Sequence, residues 1–434
     1  MSAARGGLSA TPRTTRVVVA NHKTGTMLML GVAREYCETY GLKHLIFDRY
    51  LRDNGERIDP DHDFQSYDFI SINHALHFER LLDAAPDLNY RALHLVRNPY
   101  EIIMSGVRYH QVAREEWSDK KLFVADAGAP CGYRRIAING ASEPACSGQF
   151  SYREIICGLP DERKIEFEIR QSARGFNTIP RIRRLLKRFR DDPCVATVRL
   201  EDIGDDACIA FVFAFLDLRR EFLPAYRRKV WTKSWLGRHV TNGRGESTYR
   251  QAFTPRLYGV FDEEFGANAL GDLGYDPPPD PEALAEGYRQ ALARVGASLA
   301  FEPATFADDL RAAAGDPKTL FALGERWLQE FRLDWAKAAF EACAALDGGR
   351  AATLGKLANA HFLRADYDGA VACYRRIVEA APNPPSWAHI GLGNAYAASR
   401  RPAEAIAEFE RAMALVEAPE RLQAVIDRLR AEAT

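Results

Sequence analysis

From about Pro317 onward the chain repeats itself every 34 to 35 residues. Leu323-Gly324 and Trp327 precede Ala336 and Phe340; Leu357, Ala358, Asn359, Ala360 and His361 precede Ala370, Tyr374 and Pro382; Leu392-Gly393-Asn394-Ala395-Tyr396 precedes Ala405, Phe409 and Ala412. A period of this length holds one pair of helices. One pair cannot bury its apolar face alone, so copies must stack into an all-α solenoid. Small residues at the helix crossing let the pair approach, and large aromatics one turn later interlock. Glu420 to Ala433 reads as the polar capping helix that such a stack needs.

These three copies, spanning 317–434, resemble tetratricopeptide repeats (TPR). The resemblance implies a concave surface for an extended protein or peptide partner, or for self-association into a homo-oligomer. A generic array of helical hairpins that only buttresses the rest of the chain is the alternative.

The N-terminal part reads differently. Arg16-Val17-Val18-Val19-Ala20 is an apolar, β-branched run; Asn21-His22-Lys23-Thr24-Gly25-Thr26-Met27 follows it, and Leu28 to Tyr40 is helix-like. Strand, short glycine-containing turn and helix aim backbone N–H groups and a helix N-terminus at an anion. Lys23 adds a point charge, and Thr24 and Thr26 add hydroxyl donors. The spacing is neither Walker A nor the three-glycine dinucleotide fingerprint. An ordinary strand-to-helix turn is the competing reading.

Leu93-His94-Leu95-Val96 reads as another buried parallel strand ending in Arg97-Asn98-Pro99, and Tyr100 to Tyr109 has helical spacing. Pro99 suits a first helical turn, where its missing N–H would be unpaired anyway. Arg97 leaves the strand end and Ser105 lies two turns into the helix. Both then face the carboxyl edge of the sheet, where open α/β folds bind ligands. Taken singly, Arg97 reads as a surface ion pair and Ser105 as a helix-face hydroxyl.

Together with the first loop, these residues resemble the sulfotransferases that use PAPS (3′-phosphoadenosine-5′-phosphosulfate). The marks are Lys-Thr-Gly-Thr after the first strand, and Arg-Asn-Pro with a serine eight positions beyond the arginine. The resemblance implies a P-loop-like, three-layer α/β domain with a parallel sheet. It implies that Lys23, Thr24, Gly25, Thr26 and Met27 cradle the 5′-phosphosulfate, and that Arg97 and Ser105 hold the 3′-phosphate. Arg108-Tyr109-His110 is similar to the family's aromatic and histidine-bearing helix. Asp68 to His74 is similar to the strand that carries the catalytic histidine, with Ile72-Asn73 where the family has a Lys-Thr or Lys-Ser pair. Val195 to Asp202 is similar to a later strand, with Leu200 in a tyrosine position. The loop before Tyr249 departs most: Thr241-Asn242-Gly243 stands where Arg-Lys-Gly is expected, and Arg238 and Arg244 are the cations at hand. Asn242, Gly243, Arg244 and Gly245 are assigned to this nucleotide loop.

The implied reaction moves a sulfuryl group from PAPS to a hydroxyl or amine acceptor, releasing 3′,5′-ADP. His74 would be general base, since an imidazole titrates near neutrality. Lys23 would stabilise charge on the departing phosphate oxygen. No metal is expected. His74 and His77 make a conceivable metal pair, but no cysteine or carboxylate cluster completes it. A buried histidine that bonds a carbonyl is the plainer reading of His74. A P-loop-like kinase and a catalytically idle TPR scaffold are the alternatives for the whole chain. Carbohydrate, peptide tyrosine and small alcohol all stay open as acceptors.

The resemblance covers 16–276. Residues 1–15 read as a disordered tail. Asp276-Pro277-Pro278-Pro279-Asp280-Pro281 reads as a stiff linker, and the rest of 277–316 as a helical connector. The formal net charge of −1 gives no argument for nucleic acid or an anionic membrane. No apolar run is long enough for a transmembrane segment, no secretory block opens the chain, and the eight cysteines lack Cys-x-x-Cys pairs. A cytoplasmic enzyme with reduced thiols is expected, although Cys131 and Cys146 flank one loop and could pair in an exported protein. Residues 111–176, aromatic and charged with little period, are expected to form a lid over the acceptor or a surface insertion. The basic helix from Arg181 to Arg190 presents a solvated face or a site for a sulfated glycan.

Overall fold

The structure is a computed structural model. It describes residues 14–21, 24–112, 116–126, 128, 133–135, 149–174, 178–236, 249–277, 280–301 and 306–432. Its contacts divide the chain into two units: the residues up to 222 with 236–303, and residues 223–235 with 304–434.

The first unit is built on a parallel sheet. In chain order come β1 (Thr15–Ala20), α1 (Thr26–Tyr40), β2 (His44–Ile46), α2 (Phe47–Asp53), β3 (Phe69–Ile72), α3 (Ala75–Ala84), β4 (Tyr90–Val96) and α4 (Pro99–Val112). Then follow α5 (Glu116–Asp119), β5 (Lys121–Ala125), β6 (Tyr133–Arg135), β7 (Gln149–Ser151), α6 (Tyr152–Gly158), α7 (Asp161–Arg174), α8 (Thr178–Arg188), β8 (Val195–Arg199) and α9 (Asp206–Phe215). Five strands pair in the order β2-β3-β1-β4-β8, all parallel. Val17, Val18 and Val19 of the central strand are all buried, as expected where helices cover both faces of a sheet. On one face Val17, Val19, Ile70, Ile72 and Ala92 pack with Phe47, Phe78, Leu81 and Leu185. On the other, Tyr36 of α1 meets Phe69 edge to face at 6.4 Å. The result is the three-layer α/β architecture with a parallel sheet that the resemblance implies.

Beside it, β6-β5-β7 form a small antiparallel sheet, and Phe123 packs there with Tyr152, Ile155, Ile156 and Phe167. The helix Pro281–Arg294, read in sequence as part of a connector, packs into this unit. Tyr288 stacks on Phe211 of α9 at 4.6 Å, and Leu292 is buried.

The second unit is all helical among the described residues. Its helices pair as Pro317–Gln329 with Leu333–Asp347, Ala351–Leu363 with Tyr367–Ala380, and Ser386–Ala398 with Pro402–Met413. Glu420–Glu432 closes the series, burying Ile426 and Leu429. A Cβ on Gly324 would lie 2.6 Å from the Phe340 ring, and one on Gly393 would lie 2.7 Å from Phe409. The small-residue and aromatic positions of the repeat are therefore the points where paired helices touch. Each hairpin turns on a residue with positive φ at the same place in the repeat: Phe331, Ala365 and Arg400.

Candidate active site

The strand order decides what can share a site. From β1 the chain leads toward β2 on one side, and from β4 it leads toward β8 on the other. The carboxyl ends of β1 and β4 therefore flank a switch point, the place where open α/β sheets leave a crevice. β3 lies on the far side of β1, so three neighbouring strand ends fall within about 10 Å, at the usual strand spacing.

At the end of β1 the turn is organised around Asn21, which is buried. Its carbonyl accepts from Thr24 N–H at 3.0 Å and from the Thr24 and Thr26 hydroxyls at 2.9 and 2.8 Å. Its side-chain Oδ1 accepts from Ala75 N–H at 2.9 Å, which ties the β1 turn to the start of α3. Its Nδ2 lies 3.4 Å from Nε2 of His94 on β4. Gly25 follows with φ 96°, and the first intrahelical bond runs from Met29 N–H to Gly25 O at 3.0 Å. Gly25 offers no capping side chain, and the first turn of α1 carries no carboxylate. Such a helix start favours an anion. The two threonine hydroxyls, expected to donate to a phosphosulfate, donate inward instead. Of the donors expected there, the backbone N–H groups at the start of α1 remain. Lys23, with Asn242, Gly243, Arg244 and Gly245, lies outside the described residues.

At the end of β4, Arg97 is 5% exposed. Burial pulls its pKa down, opposed by the carboxylates of Glu201 and Glu101. Glu101 Oε2 lies 3.6 Å from Arg97 and 4.0 Å from Arg108. Glu201 is held elsewhere, accepting from Asn98 N–H at 3.0 Å and from the Tyr275 hydroxyl at 2.6 Å. Asn98 in turn accepts the Tyr100 N–H at 3.0 Å, starting α4. Ser105 is buried on α4 one turn past Glu101, about 6 Å of helix rise along the same face. Arg97, Glu101, Ser105 and Arg108 thus form one stripe.

At the end of β3, His74 caps α3 with extended backbone and is half-buried. Its pKa is lowered, first by burial; Asp48 opposes this, His77 and Arg181 add to it, and Glu56 opposes it weakly. The His77 ring stands edge-on to His74 at 5.2 Å. Asp48 of α2 fastens this corner: Oδ1 lies 2.7 Å from His77 Nδ1, and Oδ2 accepts Asn73 N–H at 2.7 Å. His77 is therefore committed to a carboxylate rather than offered with His74 as a metal pair.

Two further positions of the resemblance part ways. His110 does not face this edge: it is fully buried, with Nδ1 2.9 Å from Glu168 Oε2, which also accepts the Tyr152 hydroxyl at 2.6 Å. Leu200, in the tyrosine position, lies against the β1 turn: a Cβ on Gly25 would come within 2.6 Å of Leu200 Cδ1. Sequence reading missed Asn21, Asp48 and Glu101. Glu101 had a signal, its four-residue spacing from Arg97. Asp48 had none, because its partners lie 25 and 29 residues away.

No family model and no curated protein matches the chain. Among solved structures, the mouse sulfotransferase SULT7A1 complexed with PAP is similar to 64% of this chain, over 88% of its own length. The identity is 11% and the TM-score 0.36. Values that low leave the chemistry to be argued from the residues.

Proposed function

We propose that the first unit is a PAPS-dependent sulfotransferase, and that the helical hairpins are a TPR module that docks a protein partner or a second copy. The observation that carries this reading is the strand order, which sets the Gly25 turn, His74 and Arg97 on three adjacent strand ends. A donor with phosphates at both ends of an adenosine needs two anion sites in one crevice. The start of α1 suits the 5′-phosphosulfate. Arg97, a cation in poor solvent, gains more from an arriving phosphate than an exposed arginine would, with Ser105 on the same stripe. Asn242, Gly243, Arg244 and Gly245 would complete the nucleotide loop.

His74 would take the acceptor's proton. The acceptor oxygen then forms its bond to sulfur as the sulfur–oxygen bond to the 5′-phosphate breaks, and 3′,5′-ADP leaves with that electron pair. Burial helps, because a lowered pKa keeps the imidazole neutral and ready at pH 7. Lys23 would steady the departing oxygen, and the Asp48–His77 pair holds the corner in place. The protein's task is positioning and charge neutralisation.

Two measurements test the reading. Thermal stabilisation by 3′,5′-ADP without metal should exceed that by ATP with magnesium; a kinase predicts the reverse, and an idle scaffold responds to neither. His74→Ala should abolish turnover and leave 3′,5′-ADP binding nearly intact. Unchanged turnover rejects the assignment.

A further inference from the structure

α8 packs against α3, and their ion pairs form a ladder. Arg188 Nη1 lies 3.0 Å from Glu79 and its Nη2 3.5 Å from Asp83; Arg184 lies 3.0 Å from Glu79. Leu185 fills the seam with Ala75 and Phe78. Moving toward the start of α8 thus moves toward the start of α3. The next rung is Arg181, one turn before Arg184, and one turn before Glu79 on α3 is Ala75. No carboxylate stands there, because the first turn of α3 has none. The residue before Ala75 is His74, the N-cap of α3, and the Arg181 charge bears on its imidazole.

Arg181 is also placed against its own helix. It is half-buried in the first turns of α8, where the helix dipole disfavours a cation, and no acid in that first turn offsets it. Among the described residues no carboxylate pairs with it. The acids that influence His74 are committed: Asp48 to His77 and Asn73, and Glu56 to Arg80 at 3.2 Å. Every other arginine of the ladder has a partner. Among the described residues Arg181, the next arginine toward His74, has none.

We infer that Arg181 is a substrate-binding residue that receives an anionic oxygen group of the acceptor, so that the preferred acceptor carries a negative charge next to the hydroxyl presented to His74. This rests on the reading of His74 as the acceptor's base. A charge-assisted contact there orients the acceptor hydroxyl toward the imidazole and selects against neutral acceptors.

The test uses the full chain and two probes that differ only in charge, 4-hydroxyphenylacetate and 4-hydroxyphenylacetamide. Each is titrated at fixed pH while the His74 imidazole signal, assigned by its loss in His74→Gln, is followed by NMR. The carboxylate is expected to shift the His74 signal saturably and to bind about tenfold or more tightly than the amide, the scale of one charge-assisted hydrogen bond. Arg181→Gln should erase the difference, and Arg181→Lys should keep part of it. Equal affinities, a preference that survives Arg181→Gln, or no response to either probe overturns the inference. Calorimetry of 3′,5′-ADP on the same samples separates it from the donor reading: absent nucleotide binding sinks the sulfotransferase, whereas intact binding with no charge preference sinks only Arg181's role.

Discussion

Gly25→Ala concentrates the account of the β1 turn into one substitution. Gly25 sits at φ 96°, where an L-residue is strained by about 1–2 kcal/mol. A Cβ there would also meet Leu200 Cδ1 at 2.6 Å and Leu95 Cδ2 at 3.3 Å. The first contact is too close to survive unchanged, and repacking around an added methyl typically costs about 1–3 kcal/mol. The two effects together predict a loss of about 2–5 kcal/mol, read as a lowered midpoint in urea at unchanged slope. The two causes can be separated. In a Leu200→Ala background the closest clash is gone, while the backbone strain and the looser Leu95 contact remain, so Gly25→Ala should there cost less, about 1–2 kcal/mol from the strain with a smaller addition from Leu95. The cycle should also report on binding, because a shifted turn withdraws the N–H groups of α1, and 3′,5′-ADP affinity should fall by about tenfold or more. A Gly25→Ala protein as stable as the parent, or a cost identical in both backgrounds, would refute the packing of Leu200 on this turn.

Three other expectations concern the scaffold. His94 is 1% exposed and burial holds its pKa down at about 3, so it stays neutral in the fold while the unfolded imidazole protonates near 6.5. Its stabilisation is present above that value and is lost as pH falls toward 3, by about 1.4 kcal/mol per pH unit; His94→Gln should flatten the acid limb of an unfolding-versus-pH curve. Glu168→Ala removes the buried acceptor shared by His110 and Tyr152 and should lower stability by about 1–3 kcal/mol, measured by denaturant unfolding. Ala365→Gly relieves a residue at φ 58° in a hairpin turn and should raise stability by up to about 1 kcal/mol, seen as a higher melting temperature.

What could be read from the chain depended on how local the signal was. Val17 to Val19 and Leu93 to Val96 announce buried parallel strands because both faces of each are covered, and a continuous apolar run has few other uses. The recurrences of Gly324 with Phe340 and Gly393 with Phe409 were legible because a helix pair repeats the same contact. The turns between those helices were not: phenylalanine, alanine and arginine carry no left-handed signature, and only packing of the pair places Phe331, Ala365 and Arg400 there. The site divides in the same way. The Gly25 turn and the Arg97–Ser105 stripe follow from spacing within one segment. The inward use of the Thr24 and Thr26 hydroxyls follows from the Asn21 carbonyl, which a motif cannot show. Asp48 of α2 fastens His77 and Asn73 beside His74, and the charge of Arg181 on α8 bears on that imidazole, both through the fold alone. His110 had helical neighbours that resembled a site segment, yet the carboxylate of Glu168 on α7 claims it.

On the proposed function, one crevice between β1 and β4 holds both charged ends of an adenosine bisphosphate. A crystal structure of the full chain grown with 3′,5′-ADP addresses it most directly. The 5′-phosphate is expected on the backbone N–H groups at the start of α1 and the 3′-phosphate on Arg97, with His74 open to the donor's sulfur position. A nucleotide bound at another edge of the sheet, or none bound at saturating concentration, would contradict it.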